Sequence, residues 1–134
     1  MLAETTLRVM VVEDEAVVAL LLSSYLTKWG YDVTGIADNF DEAVEMFDSA
    51  HPDLVLMDIS IMGSRDGIET AQALRDRRRD LPIIFISAFS DQGTARRVEE
   101  SGAYAFLPKP FDAASLERKV REVLTRSNAT LGVH

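Results

Sequence analysis

Short apolar runs rich in β-branched residues recur along the chain, and each gives way to a longer stretch with helical spacing. The runs are Leu7–Val12 (LRVMVV), Tyr31–Ile36 (YDVTGI), Leu54–Met57 (LVLM), Ile83–Ile86 (IIFI) and Ala105–Leu107 (AFL). Their lengths and bounds fit strands buried on both faces. Behind the first run, Val17, Leu21, Tyr25 and Trp29 follow at i+4 steps, with Val18 and Leu22 beside them. That spacing predicts a helix burying this stripe. The last stretch offers Ala113, Leu116, Val120 and Leu124. Asp91–Glu100 (DQGTARRVEE) is the poorest, with little beyond Ala95 and Val98 to bury. A helix held by so few contacts shifts at low cost.

Start and stop signals agree with these assignments. Asn39-Phe40-Asp41-Glu42 and Asp66-Gly67-Ile68-Glu69 each set a capping side chain three residues before Glu, the spacing of a capping box. Asp112 stands where it would cap the last helix, and Gly30 and Gly102 where a left-handed residue closes one. Five strand–helix pairs in strict order need right-handed crossovers. They predict an α/β fold, a parallel sheet with helices on both faces. Residues 1–6 read as an N-terminal extension, 7–127 as one domain and 128–134 as a tail.

Composition narrows the partners. The 134 residues carry 14 basic and 22 acidic side chains, a formal charge of -8. Such a surface repels phosphate backbones and anionic lipid, so neither nucleic acid nor membrane is expected as a direct partner. The basic run Arg75-Asp76-Arg77-Arg78-Arg79-Asp80 reads as a solvated helix end, where cations suit the dipole. There is no cysteine, hence no disulfide or thiolate chemistry, which fits a reducing cytosol. No apolar run approaches the ~18 residues of a membrane span, and MLAETTLR lacks a signal-peptide layout. His51 and His134 have no metal-ligand company.

In open parallel sheets, ligands sit beyond the carboxyl ends of the strands. The polar residues at those ends here are Glu13-Asp14-Glu15, Asp58, Ser87 and Lys109. Asp58 follows LVLM, where an unpaired buried carboxylate would cost several kcal/mol; at the mouth of the sheet it gains company instead. Glu13, Asp14 and Asp58 bring three negative charges and Lys109 returns one, leaving -2. Like charges about 4 Å apart repel by roughly 4 kcal/mol at an effective dielectric near 20. A divalent cation would relieve this, and an all-oxygen site with room for water suits Mg²⁺. A carboxylate set against such a cation, a lysine and a hydroxyl can attack a phosphoryl group and become an acyl phosphate. Lys109 and the cation would neutralise the transferring oxygens, and Ser87 could hydrogen-bond one of them.

Taken together, VVEDE, LVLMDI, Ser87-Ala88 and Lys109-Pro110-Phe111 resemble the receiver domain of two-component response regulators, from Arg8 to about Thr125. The resemblance implies a doubly wound five-stranded sheet in the order 2-1-3-4-5. It implies Asp58 as phosphoacceptor, and Mg²⁺ held by Asp14, Asp58 and the Ser60 carbonyl, with Glu13 acting through water. Phosphate would come from a sensor histidine kinase or a histidine phosphotransfer protein. The chain would be no general enzyme, catalysing only its own phosphorylation and dephosphorylation in the cytoplasm. Phospho-Asp58 would draw Ser87 inward, and Phe106 would turn into the vacated space. The fourth helix and fifth strand would then change their surface for a downstream effector or a homodimer. The Lys109–Pro110 peptide is often cis in this family.

Departures from the family pattern bear on the loop and the switch. The loop ISIMGSRDGIE after Asp58 is one residue longer than the common form and has Met62 where a proline is usual. The switch aromatic is Phe106 rather than Tyr, and nearby Tyr104 has no switch role. Pro108 precedes Lys109, which an edge strand tolerates because no ladder donor is lost. A haloacid-dehalogenase-type phosphatase would need an aspartate at position 60, which is Ser60, and a cap domain. No phosphate-binding glycine motif of the nucleotide-binding folds follows any strand. The remaining alternative is a receiver-shaped interaction module that takes no phosphate. The initiating Met and short tail suit a stand-alone receiver or the front of a longer regulator.

Overall fold

The computed structural model describes residues 6–88, 92–102 and 105–130. Strands and helices alternate as β1 (Arg8–Val12), α1 (Ala16–Lys28), β2 (Asp32–Ala37), α2 (Phe40–Ala50), β3 (Leu54–Asp58), α3 (Gly67–Arg77), β4 (Ile83–Ser87), α4 (Gln92–Glu100), β5 (Ala105–Pro108) and α5 (Ala113–Thr130). The sheet is parallel throughout, in the order β2-β1-β3-β4-β5, as the receiver resemblance implies. Pro108 lies on the edge strand β5, opposite Ser87.

Alternation along each strand sorts the core into two layers. Met10, Val12, Val55, Met57, Ile83 and Phe85 pack with Ala43 and Phe47 of α2 and Ile68, Ala71 and Leu74 of α3. Val9, Val11, Leu54, Leu56, Ile84 and Ile86 pack with Leu22 and Leu26 of α1 and Leu116, Val120 and Val123 of α5. Both faces are covered, which is why the inner strands read as unbroken apolar runs.

The helices depart from the sequence reading in four places. On α1 the buried residues are Ala19, Leu22 and Leu26, while Val17 is 79% and Leu20 65% exposed and Leu21 also faces out. Because AVVALLL is apolar at every position, spacing alone does not fix which stripe turns inward. On α4, Ala95 is exposed and Val98 is the residue packed against the core. The helix α5 runs to Thr130, three residues past the boundary assigned to the tail. Asp66 and Glu69 form a complete capping box, but the Asn39 box is only half made: Asn39 accepts from the Glu42 amide, while Glu42 accepts from the amide of Asp38.

Other punctuation follows the sequence. Gly30 and Gly102 have φ of 94° and 74°. The Asp112 carboxylate accepts the Ser115 amide at 2.7 Å, and the Lys109–Pro110 peptide is cis. Arg77 of the basic run pairs with Asp48 at 3.0 Å, and Arg78 with Asp80 at 3.3 Å. Asp91 and Tyr104 lie outside the described residues.

Candidate functional site

Glu13 follows β1, and Asp58 ends β3 beside it. Both are buried, at 2% and 4% exposure, while Asp14 is half-buried. Glu13, Asp14 and Asp58 can each bring a carboxylate oxygen within 4.8 Å of the others. Lys109, just past β5, sets its Nζ 3.1 Å from Glu13 Oε1 and 3.6 Å from Asp58 Oδ2. Its backbone is fixed by its amide, which donates to the Ser87 carbonyl at 2.8 Å.

Burial is the largest influence on Glu13 and pushes its carboxyl up to about 7; hydrogen bonding and charge from Asp58 add to the rise, against smaller opposing effects from the Glu15 amide and Lys109. Burial and the neighbouring Glu13 charge likewise raise Asp14. For Lys109, burial disfavours the ammonium, but the charges of Asp58 and Glu13 outweigh it and hold the group above its usual value. The Glu13 Oε1 atom is buried and ion-paired with Lys109, yet it makes no well-directed hydrogen bond. That leaves an acceptor at a rim where carboxylates outnumber the ammonium, and the donor set is hard oxygen. These residues fit Mg²⁺.

The loop after Asp58 is tied down at both ends. The Ser60 amide donates to Asp58 Oδ1 at 3.1 Å, with the Ser60 residue itself exposed. At the start of α3, the Gly67 amide donates to the Ile59 carbonyl at 2.7 Å. A Cβ on Gly67 would run into the Asp58 backbone, so glycine sets how closely α3 approaches the acidic strand end. Met62 bridges to Asn39, and the Arg65 guanidinium sits 4.2 Å over the Phe40 ring. The longer loop is thereby laid against the start of α2.

Ser87 ends β4, buried at 1% exposure, one rung beyond the Asp58–Ile86 pair. Phe106 pairs with Phe85 in register and is partly buried against the same layer as Val98. The fold therefore brings Glu13, Asp14, Asp58 and Lys109 into one cluster, with Ser60 hydrogen-bonded to it and Ser87 at the adjoining strand end. Phe106 stands apart, two residues back along β5. Sequence reading missed two contributors. Glu15 was visible only as a third acid in VVEDE, yet its Oε1 accepts from Lys109 Nζ at 3.2 Å. Gly67 read as part of a cap, because a close backbone approach leaves no mark in the local pattern.

The profile of the response regulator receiver domain matches residues 9–121. Among similar proteins, the transcriptional regulatory protein PdtaR of Mycobacterium tuberculosis is 37% identical over 119 residues, covering 89% of this chain and 57% of its own length. A probable transcriptional regulator, ycf27 of Porphyridium aerugineum, is 38% identical over 119 residues and 48% of its length. The chain thus spans about half the length of the curated relatives it matches. The signal receiver domain of a modulated diguanylate cyclase from Desulfovibrio desulfuricans superposes with a TM-score of 0.86 at 34% identity, covering 94% of this chain and 99% of that one. The CheY of Borrelia burgdorferi, solved with CheX, BeF3 and Mg²⁺, gives 0.81 at 25% identity, covering 87% and 88%.

Proposed function

The chain belongs to the response regulator receiver family of two-component systems, and from that premise we propose that it takes a phosphoryl group on Asp58 in a Mg²⁺-dependent reaction and passes the signal through the α4–β5 surface. One observation carries the reading: Asp58 is buried at the end of β3 among acids, with the Lys109 ammonium 3.6 Å away. An acid so placed, at the end of a strand, has a neutralising partner. The donor is a phosphohistidine on a sensor kinase or a phosphotransfer protein. An Asp58 oxygen forms a bond to phosphorus, the bond from phosphorus to the imidazole nitrogen breaks, and its electron pair stays on that nitrogen.

Bound by Asp14, Asp58 and the Ser60 carbonyl, with Glu13 through water, Mg²⁺ would supply positive charge against the phosphoryl oxygens. Lys109 does the same from the carboxyl end of β5, and the Ser87 hydroxyl donates to a phosphoryl oxygen. Ser87 moves inward with that bond, Phe106 turns into the space it leaves, and α4 and β5 present a new face to an effector or a second copy. The thin packing of α4 supports this, because few contacts must break. The exposed Val17, Leu20 and Leu21 on the helix that starts at the rim support a protein donor. The similar CheY solved with BeF3 and Mg²⁺ also supports the reading, since BeF3 imitates a phosphoryl group. Among the described residues, no helix is long and apolar enough to cross a membrane, and a chain without cysteine suits the cytoplasm.

Incubation with Mg²⁺ and acetyl phosphate, followed by intact-mass measurement, tests the proposal. Wild type should gain one phosphoryl group that is labile to hydroxylamine, and Asp58→Asn should gain none. Phe106→Ala should still be labelled but lose phosphorylation-dependent partner binding. An unlabelled wild type would leave a receiver-shaped interaction module.

A further inference from the structure

Glu15 has no part in the reaction just proposed, yet its carboxylate is spent on the lysine. It occupies the N-cap position of α1 but caps nothing with its side chain. Its amide is tied back to Glu13 Oε2 at 3.1 Å, and its carbonyl starts the helix by accepting the Ala19 amide at 2.9 Å. The backbone is thus fixed, while the side chain reaches over to accept from Lys109 Nζ at 3.2 Å.

The ammonium is bracketed. On its inner side lie Glu13 and Asp58, whose side chains are 1% and 4% exposed; on its outer side lies Glu15, 65% exposed. Glu15 and Lys109 share an open groove of about 350 Å³ with Leu21 and Phe111. A phosphoryl group arriving at Asp58 needs the same ammonium that Glu15 occupies, and its charge is repelled by the same carboxylate. Building on the phosphoacceptor reading, we propose that Glu15 is a positioning residue that competes with the phosphoryl group for Lys109 and so weakens the rim's hold on phosphate.

The test compares wild type, Glu15→Gln and Glu15→Asp for affinity toward BeF3 with Mg²⁺, and for labelling rate against acetyl phosphate concentration. Glu15→Gln keeps the shape and loses the charge. Glu15→Asp keeps the charge but is a methylene short of the lysine. Competition by contact predicts that both variants bind BeF3 about two- to fivefold more tightly, the range an exposed ion pair supplies. Both should lower the KM for acetyl phosphate with little change in kcat, and unchanged melting temperatures exclude a folding effect. Equal or weaker BeF3 binding by Glu15→Gln overturns the proposal, as does Glu15→Asp behaving like wild type, which would mark a long-range charge effect. Failure of wild type to take label through Asp58 defeats the underlying reading instead, and Asp58→Asn distinguishes that case.

Discussion

Glu13 shows how a single buried acid sets a pH dependence. Its carboxyl is pushed from an ordinary value of 4.5 up to about 7, first by burial and then by Asp58. A group that binds its proton more tightly when folded contributes stability that is complete below about 4.5 and lost as pH rises through about 7. Without added cation, the ionised Glu13 should cost the folded state on the order of 3 kcal/mol above neutrality. Glu13→Gln should therefore gain on wild type in urea unfolding as pH goes from 5 to 8, and the offset between the two should shrink at acid pH. A constant offset would show that Glu13 does not titrate in this window. Most of the rim was legible because an acid or a lysine directly after an apolar run is conspicuous. Glu15 was not, since its role depends on a lysine 94 residues away.

At the scale of elements, α4 is the segment with least to hold it. Val98 packs it against the core, and among its described residues Arg97 pairs with Asp66 at 2.8 Å, joining α4 to the N-cap of α3. Asp66 serves both: Oδ1 accepts the Glu69 amide at 3.0 Å, and Oδ2 faces Arg97. The Arg97 side chain is half exposed, so the pair is worth ~1 kcal/mol or less. Arg97→Ala should speed amide exchange in α4 by up to about fivefold while leaving β1 and β3 amides unchanged. Equal acceleration throughout the sheet would mean that α4 is not a separate unit. The thinness of α4 was readable from DQGTARRVEE itself. The inward stripe of α1 was not, because its first seven residues are all apolar and only the sheet decides which of them it covers.

Across the whole molecule, a net charge of -8 meets a fold that gathers Glu13, Asp14, Glu15 and Asp58 at one end of its sheet. The parallel sheet followed from strict β–α alternation and the order of its strands from the resemblance; the closeness of the acids required the strand ends to be in register. Like charges brought together in this way store repulsion that a bound cation releases, so folding and cation binding must be coupled. Magnesium at ten times its dissociation constant adds about 1.4 kcal/mol, which for a domain of this size raises the melting temperature by about 5 °C. EDTA should reverse the rise, and Asp58→Asn, lacking one of the three carboxylates, should show a smaller one. Sodium chloride at the same ionic strength separates this from general screening: if it reproduces the Mg²⁺ shift in full, the rim holds no specific ion and the repulsion is spread over the surface.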